Sequence, residues 1–297
     1  MSGNRHGQIT LGNVSTVSAE LVTYTPHVSH TCPGVLDMKW SGHTSPILAV
    51  AESSGDLVLY FVTLDFETSK AKLSMKSKLK IADGLALALE WSQDNESIIV
   101  SDSKGYVSLV AMTNDETLIR TQIYGHDFEA WTVCLSKNDT NLMFSGGDDC
   151  KLNFYDLRVN NRAAIKSNKK THNMGVTSMV CPKNSENSLW TGSYDENLRL
   201  WDIRNIKYEM KTVNVGGGVW RIKLNPNDED VVLVAAMHDG FKVVQKGDIV
   251  HEYREHESLA YGADWVTDFE SETAHSIVAT CSFYDCLFKV WSYPRLS

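Results

Sequence analysis

Thr191-Gly-Ser-Tyr-Asp-Glu-Asn-Leu-Arg-Leu-Trp-Asp202 reads as a strand, a tight turn carrying an Asp, and a second strand of alternating apolar residues ending on an aromatic. Ser145-Gly-Gly-Asp-Asp-Cys-Lys-Leu-Asn-Phe-Tyr-Asp156 and Thr280-Cys-Ser-Phe-Tyr-Asp-Cys-Leu-Phe-Lys-Val-Trp291 repeat the pattern, and weaker copies lie at Ala51–Tyr60, Ser101–Val110 and Ala235–Val244. The turn positions Gly55, Gly105, Asp149, Asp195, Asp239 and Asp285 follow one another about 45 residues apart, a period that belongs to arrays of small antiparallel sheets. Glycine suits such a turn because it takes positive φ freely, and Asp suits it by hydrogen-bonding nearby backbone.

Each unit has an inner strand ahead of this hairpin: Val35–Trp40, Leu85–Trp91, Trp131–Ser136, Val176–Cys181, Trp220–Asn225 and Tyr261–Val266. Shortly before four of these strands one slot holds His126, His172, Val215 and His256 in turn. A His before the strand, an Asp in the turn and a closing Trp-Asp resemble the WD-repeat family. The resemblance implies an all-β propeller spanning residues 1–297 as one domain, with residues 1–15 a loosely ordered segment. Six pairs of inner strand and turn predict six blades, seven being the alternative. The spare strand-like run Thr16–Tyr24 is expected to supply the missing outer strand and close the ring.

Composition narrows the function classes. The chain has 297 residues, 42% hydrophobic and 22% charged, and a net charge of −9, which argues against nucleic acid as the main partner. The basic run Lys70–Lys80 reads as an edge strand protected by lysines. Six cysteines show neither a C-x-x-C pair nor zinc-ligand spacing, so no metal is expected. No apolar run is long enough to span a membrane. These features predict a soluble, reduced protein, cytosolic or nuclear, and a cytoplasmic monomer is the expectation taken forward.

Read singly, His126 with Asp149, His172 with Asp195, and His256 with Asp285 look like catalytic relays. Recurring three times, they read instead as a scaffold that pins a loop to a turn. The fifth unit departs from it: Val215 replaces the His, leaving Asp239 without that partner and His238 beside it, after an opening Gly216-Gly217-Gly218-Val219-Trp220-Arg221. Asp264, on the sixth inner strand, is either a buried acceptor or a channel-facing group. Trp131, Trp220 and Tyr261 share one slot at the start of their strands and form either a binding surface or core.

Gly216-Gly-Gly-Val-Trp-Arg-Ile-Lys223, Ala236-Met-His-Asp-Gly-Phe241, His256-Glu-Ser-Leu-Ala-Tyr-Gly-Ala-Asp-Trp265 and Cys281-Ser-Phe-Tyr-Asp285 are similar to one WD-repeat subfamily, the eukaryotic diphthine methyltransferase family. The first 120 residues match only as a generic propeller. The resemblance implies hydrolysis of the methyl ester of methylated diphthine on translation elongation factor 2, giving diphthine and methanol in diphthamide biosynthesis, with no cofactor. No G-x-S-x-G elbow or H-E-x-x-H site is present. The expected base is His238, oriented by Asp239 or Asp264, with the oxyanion held by Arg221 or by backbone N–H groups at Gly217 and Gly218. Trp220, Tyr261, Trp131 and Trp265 are candidate walls for the quaternary ammonium near the ester. A covalent route through Ser282 or Cys281 is disfavoured because the repeat sets them at the Gly192 and Thr191 positions. A non-catalytic adaptor that presents a propeller face to protein partners is the competing class.

Overall fold

The structure is a computed structural model that describes residues 6–16, 22–42, 47–65, 70–113, 117–159, 163–266 and 275–294. Among them the regular structure is all strand. β1 (His6–Thr16) and β2 (Val22–Pro33) pair with each other. The first blade holds β3 (Val35–Trp40), β4 (Ile47–Glu52), β5 (Asp56–Asp65) and β6 (Lys70–Lys80). The second holds β7 (Ala86–Trp91), β8 (Ser97–Asp102), β9 (Tyr106–Met112) and β10 (Leu118–Tyr124). The third holds β11 (Thr132–Leu135), β12 (Leu142–Gly146), β13 (Leu152–Asp156) and β14 (Lys166–Asn168). The fourth follows with β15 (Val176–Val180), β16 (Ser188–Ser193), β17 (Asn197–Asp202) and β18 (Lys211–Asn214). β19 (Arg221–Asn225), β20 (Asp228–Ala235), β21 (Phe241–Gln245) and β22 (Asp248–Tyr253) make the fifth, and β23 (Ala260–Trp265), β24 (His275–Ser282) and β25 (Phe288–Pro294) the sixth. Six antiparallel sheets meandering outward in chain order are six propeller blades.

Two sequence expectations need adjustment. Residues 6–16 form β1 rather than a loose segment. The run expected to complete the sixth blade, Thr16–Tyr24, has its ends in β1 and β2, which form a ladder of their own, and residues 17–21 lie outside the described residues. The sixth sheet therefore has three described strands. The basic run does form β6, the outermost strand of its blade.

Contacts divide the chain into two compact units, residues 1–13 with 26–170 and residues 14–25 with 171–297. A stacked repeat bonds mainly to its neighbours, so such a division follows from the architecture. Within the units, β4, β8 and β20 each serve two cores. In the first, Ile98 and Val100 of β8 pack with Ala49, Ala51 and Leu57 of the preceding blade. Ile99, on the opposite face, packs with Val133, Met143 and Tyr155 of the following one. In the second unit, Val232 and Val234 of β20 face Trp190 and Leu198, while Val231, Leu233 and Ala235 face Ala263, Val278 and Trp291. A strand covered on both sides must be apolar at every position, which explains why these strands read as continuous hydrophobic runs.

Hydrogen bonds tie successive inner strands together inside each unit. The Trp91 indole donates to the Lys39 carbonyl at 3.0 Å, and Trp265 repeats this with Lys223 at 3.1 Å. Asp37 accepts from the Leu89 amide, and Ser178 from the Ile222 amide, both at 3.0 Å. Trp265→Phe should destabilise the protein by about 1 kcal/mol through the lost bond, and Trp265→Ala by roughly 3–5 kcal/mol through the cavity. Urea unfolding midpoints at constant slope would read both.

Candidate functional site

The repeated His and Asp residues are scaffold, in three local versions. In the third blade the His126 ring joins Asp149 and Ser145, each at 2.7 Å, and Ser145 meets the Tyr155 hydroxyl. In the fourth, Trp201 and His172 both meet Thr191, at 2.8 and 3.0 Å, but Asp195 is taken by the Arg199 guanidinium at 2.9 and 2.8 Å. Burial and then the Arg199 charge push His172 down to about 3. In the sixth, His256 binds Thr280 at 2.9 Å and Ser282 at 2.6 Å, and Ser282 passes the connection to Asp285. Thr280 is therefore the counterpart of Thr191, so Cys281 and Ser282 sit one position later than the sequence reading placed them, at the Gly192 and Ser193 positions. Ser282 is buried and engaged on both sides, and burial raises the Cys281 thiol.

Strand register corrects the reading of the fifth turn. The pairs Gly146–Leu152, Gly192–Leu198 and Ala235–Phe241 are equivalent, with five residues between the members of each. Counted from them, His238, not Asp239, occupies the place of Asp149 and Asp195. The other blades carry a single left-handed residue in this turn, at Gly55, Gly105, Cys150, Glu196 and Cys286, whereas the fifth has two, Met237 at φ 38° and Gly240 at φ 74°. Positive φ at a long side chain is strained and needs surroundings that hold it. Here the Ala260 amide donates to the Met237 carbonyl at 2.8 Å. The glycines pass close beneath: a Cβ at Gly217 would strike the Ala236 carbonyl oxygen, and one at Gly218 would lie 2.9 Å from Met237 Sδ. Gly217 and Gly218 are buried supports of the turn, not donors in an open site.

Asp239 has partners that the sequence reading missed. Lys242, 1% exposed, bonds Asp239 at 2.8 Å and Glu252 at 2.9 Å, and Arg254 bonds the same two carboxylates. Lys242 follows the first residue of β21, just as Arg199 stands second in the run Leu198-Arg199 of β17. A cation at that place holds the turn Asp in both blades, with the His present in the fourth and absent in the fifth, and Lys242 was the available sequence signal. Asp239 is thus a member of an ion network and not a free orienting group.

His238 is exposed and lines an open pocket of about 700 Å³ with His256, Glu257, Ser258, Tyr284 and Asp285. Arg254 also reaches this pocket. A row of rings leads to its rim: Tyr194 to Trp220 at 5.8 Å, Trp220 to Tyr261 at 4.8 Å, Tyr261 to Phe283 at 5.0 Å and Phe283 to Tyr284 at 5.0 Å. Tyr261 stands at a register shift between Ala260 and Gly262, the kind of bulge that re-aims a side chain. Trp220 and Tyr261 are therefore brought together as the sequence suggested, while Phe283, Tyr284 and Tyr194 were overlooked. Three aromatics in turns that elsewhere hold Ser and Asp were the signal for them.

The remaining candidates fall elsewhere. Trp131 belongs to the first unit and donates to Asp148 at 3.0 Å. Trp265 is 5% exposed and packs in the core. Asp264 is neither buried nor near His238: its side chain is 61% exposed and pairs with Lys223 at 2.6 Å. It also lies four residues along β23 from Ala260, roughly 13 Å of extended chain. Arg221 opens β19 and acts electrostatically on the Cys281 thiol, outside the pocket lining. Among the described residues, no three His, Cys, Asp or Glu side chains are placed to hold a metal ion.

The model of the WD domain, G-beta repeat, matches residues 116–156 and 165–202. A "Diphthine methyltransferase homolog" of Dictyostelium discoideum is 33% identical, covering 87% of this chain and 76% of its own length. The "Diphthine methyltransferase" of Schizosaccharomyces pombe is 34% identical, covering 88% of this chain and 79% of its own. A chain in a crystal structure of the mitotic checkpoint complex superposes with a TM-score of 0.73 over 98% of this chain and 85% of that one, at 15% identity, a likeness of fold alone.

The ion network gives a test of the corrected turn. Burial would raise the Asp239 carboxyl, yet Lys242 and Arg254 hold it below the ordinary carboxylate range, and they hold Glu252 down as well. Depressed carboxyl pKa values contribute stability above the unfolded-state value near 4, and it is lost as pH falls through the folded-state values. Lys242→Met should destabilise the protein by about 1 kcal/mol at neutral pH, since Arg254 still pairs with both partly exposed carboxylates, and flatten the acid limb of a stability-against-pH curve.

Proposed function

The chain belongs to the diphthine methyltransferase family, and from that premise we propose that it is a carboxylic ester hydrolase. It removes the methyl ester of methylated diphthine on translation elongation factor 2 in diphthamide biosynthesis, as a cytoplasmic monomer. The observation that carries the reading is the exposed His238 on a clamped, strained turn at the edge of a pocket flanked by aromatic rings.

Imidazole suits proton transfer near neutral pH. In this reading His238 takes a proton from water as its oxygen attacks the ester carbonyl. The tetrahedral oxyanion forms beside Arg254, the guanidinium at the pocket, held in place by Asp239 and Glu252. Collapse breaks the bond to methoxide and the imidazolium returns the proton to it, leaving methanol and the carboxylic acid, which gives up its own proton to solvent as the carboxylate. Asp239 acts through Arg254 and not through His238, and Arg254 replaces Arg221 and the glycine amides as the oxyanion group.

Incubating the purified chain with elongation factor 2 bearing methylated diphthine should give methanol and a mass loss of one methylene, read by mass spectrometry. His238→Ala should slow the reaction by roughly 10²–10⁴-fold with the fold intact. An unchanged ester on folded protein that still binds the factor would leave the adaptor reading, which the exposed rings of Phe283 and Tyr284 also suit.

A further inference from the structure

The turn of the sixth blade has six residues between Cys281 and Phe288, where the turns above have five. The added residue carries Phe283 and Tyr284 outward, 51% and 76% exposed. Their rings meet at 90° with centroids 5.0 Å apart, so they form two walls of a corner, and Tyr261 stands behind Phe283. The corner is held by its backbone: the Tyr284 amide donates to Ser258 Oγ at 3.0 Å and the Phe283 amide to the Leu259 carbonyl at 3.2 Å. Exposing two large aromatic rings at a fixed right angle contributes nothing to the core.

We propose that Phe283 and Tyr284, with Glu257 and Asp285 alongside them, form a subsite for a permethylated ammonium group. Aromatic faces attract cations through the ring quadrupole, and a permethylated ammonium presents an apolar surface that packs against rings without seeking hydrogen bonds. Glu257 and Asp285 line the same pocket as Tyr284. Hydrogen bonding from Ser282 keeps the Asp285 carboxyl below its ordinary value. Of the nearby cations, Arg254 is committed to Asp239 and Glu252, and Lys289 lies 3.5 Å from Glu255. His238 and His256 complete the titratable lining. The proposal rests on the hydrolase reading for its substrate: the subsite holds the quaternary ammonium of diphthine while the ester reaches His238.

Choline, its neutral isostere 3,3-dimethylbutan-1-ol, and ethanolamine separate charge from shape. Binding is read by tryptophan fluorescence, Trp220 being in the same row of rings. Choline should bind at least about fivefold more tightly than either analogue. Phe283→Leu and Tyr284→Leu, which keep apolar bulk, should weaken choline about fivefold and leave the isostere unchanged. Equal binding of choline and its isostere, no saturable choline signal, or leucine variants that bind like the parent would overturn the subsite. Choline should also raise KM for ester removal without lowering kcat. Choline binding without ester removal would sink the hydrolase reading alone, and ester removal without choline binding would sink the subsite alone.

Discussion

The middle strands β4, β8 and β20 are each shared between two hydrophobic cores, and the rest of the arrangement depends on that sharing. Ile98 and Ile99 are adjacent in sequence yet belong to different clusters, because successive side chains of a strand point to opposite faces. Within a unit, the blades that hold β8 and β20 bury their apolar surface against their neighbours. The indole and side-chain bonds between inner strands then set the register of one blade on its neighbour. With the strands fixed in this way, the turns at their ends become positions of defined geometry on which other chemistry can be placed.

The turns differ in how they are anchored, and function is read from those differences. In the third blade the His and the turn Asp close directly on each other, and in the fourth Arg199 takes the Asp instead. In the fifth blade the His is Val215 and the anchor is Lys242, so the register place of the turn Asp passes to an outward-facing His238. In the sixth, one extra residue interposes Ser282 between His256 and Asp285 and projects two aromatic side chains. Both departures lie in the same unit and border the same pocket.

Much of the fold was legible in the sequence because the repeat states it several times over: a turn, a buried apolar strand and an aromatic at fixed spacing leave few alternatives. The six blades, the structural status of the His and Asp residues, and the pairing of Trp220 with Tyr261 all follow from that spacing. What it could not supply was register within a turn. Motif alignment matches Asp to Asp, whereas backbone pairing matches His238 to Asp195, and only the latter determines where a side chain points. Of the two readings of Asp264, the buried acceptor is ruled out, because its carboxylate is exposed beside Lys223 on the neighbouring inner strand. Trp265 looked like a binding residue by its company in the sequence, and its strand directs it into the core.

Anchoring the fifth turn through Lys242 and Arg254 has a consequence for proton traffic. In the third and sixth blades an imidazole is one of the bonds that hold the turn, so protonating it would rearrange that turn's own support. In the fifth, the network beneath the turn contains only carboxylates, an ammonium and a guanidinium. His238 is a member of none of those bonds, so the support of the turn does not pass through its ring. The blade that gave up the imidazole anchor thereby holds its turn by ion pairs alone and leaves His238 outside the support.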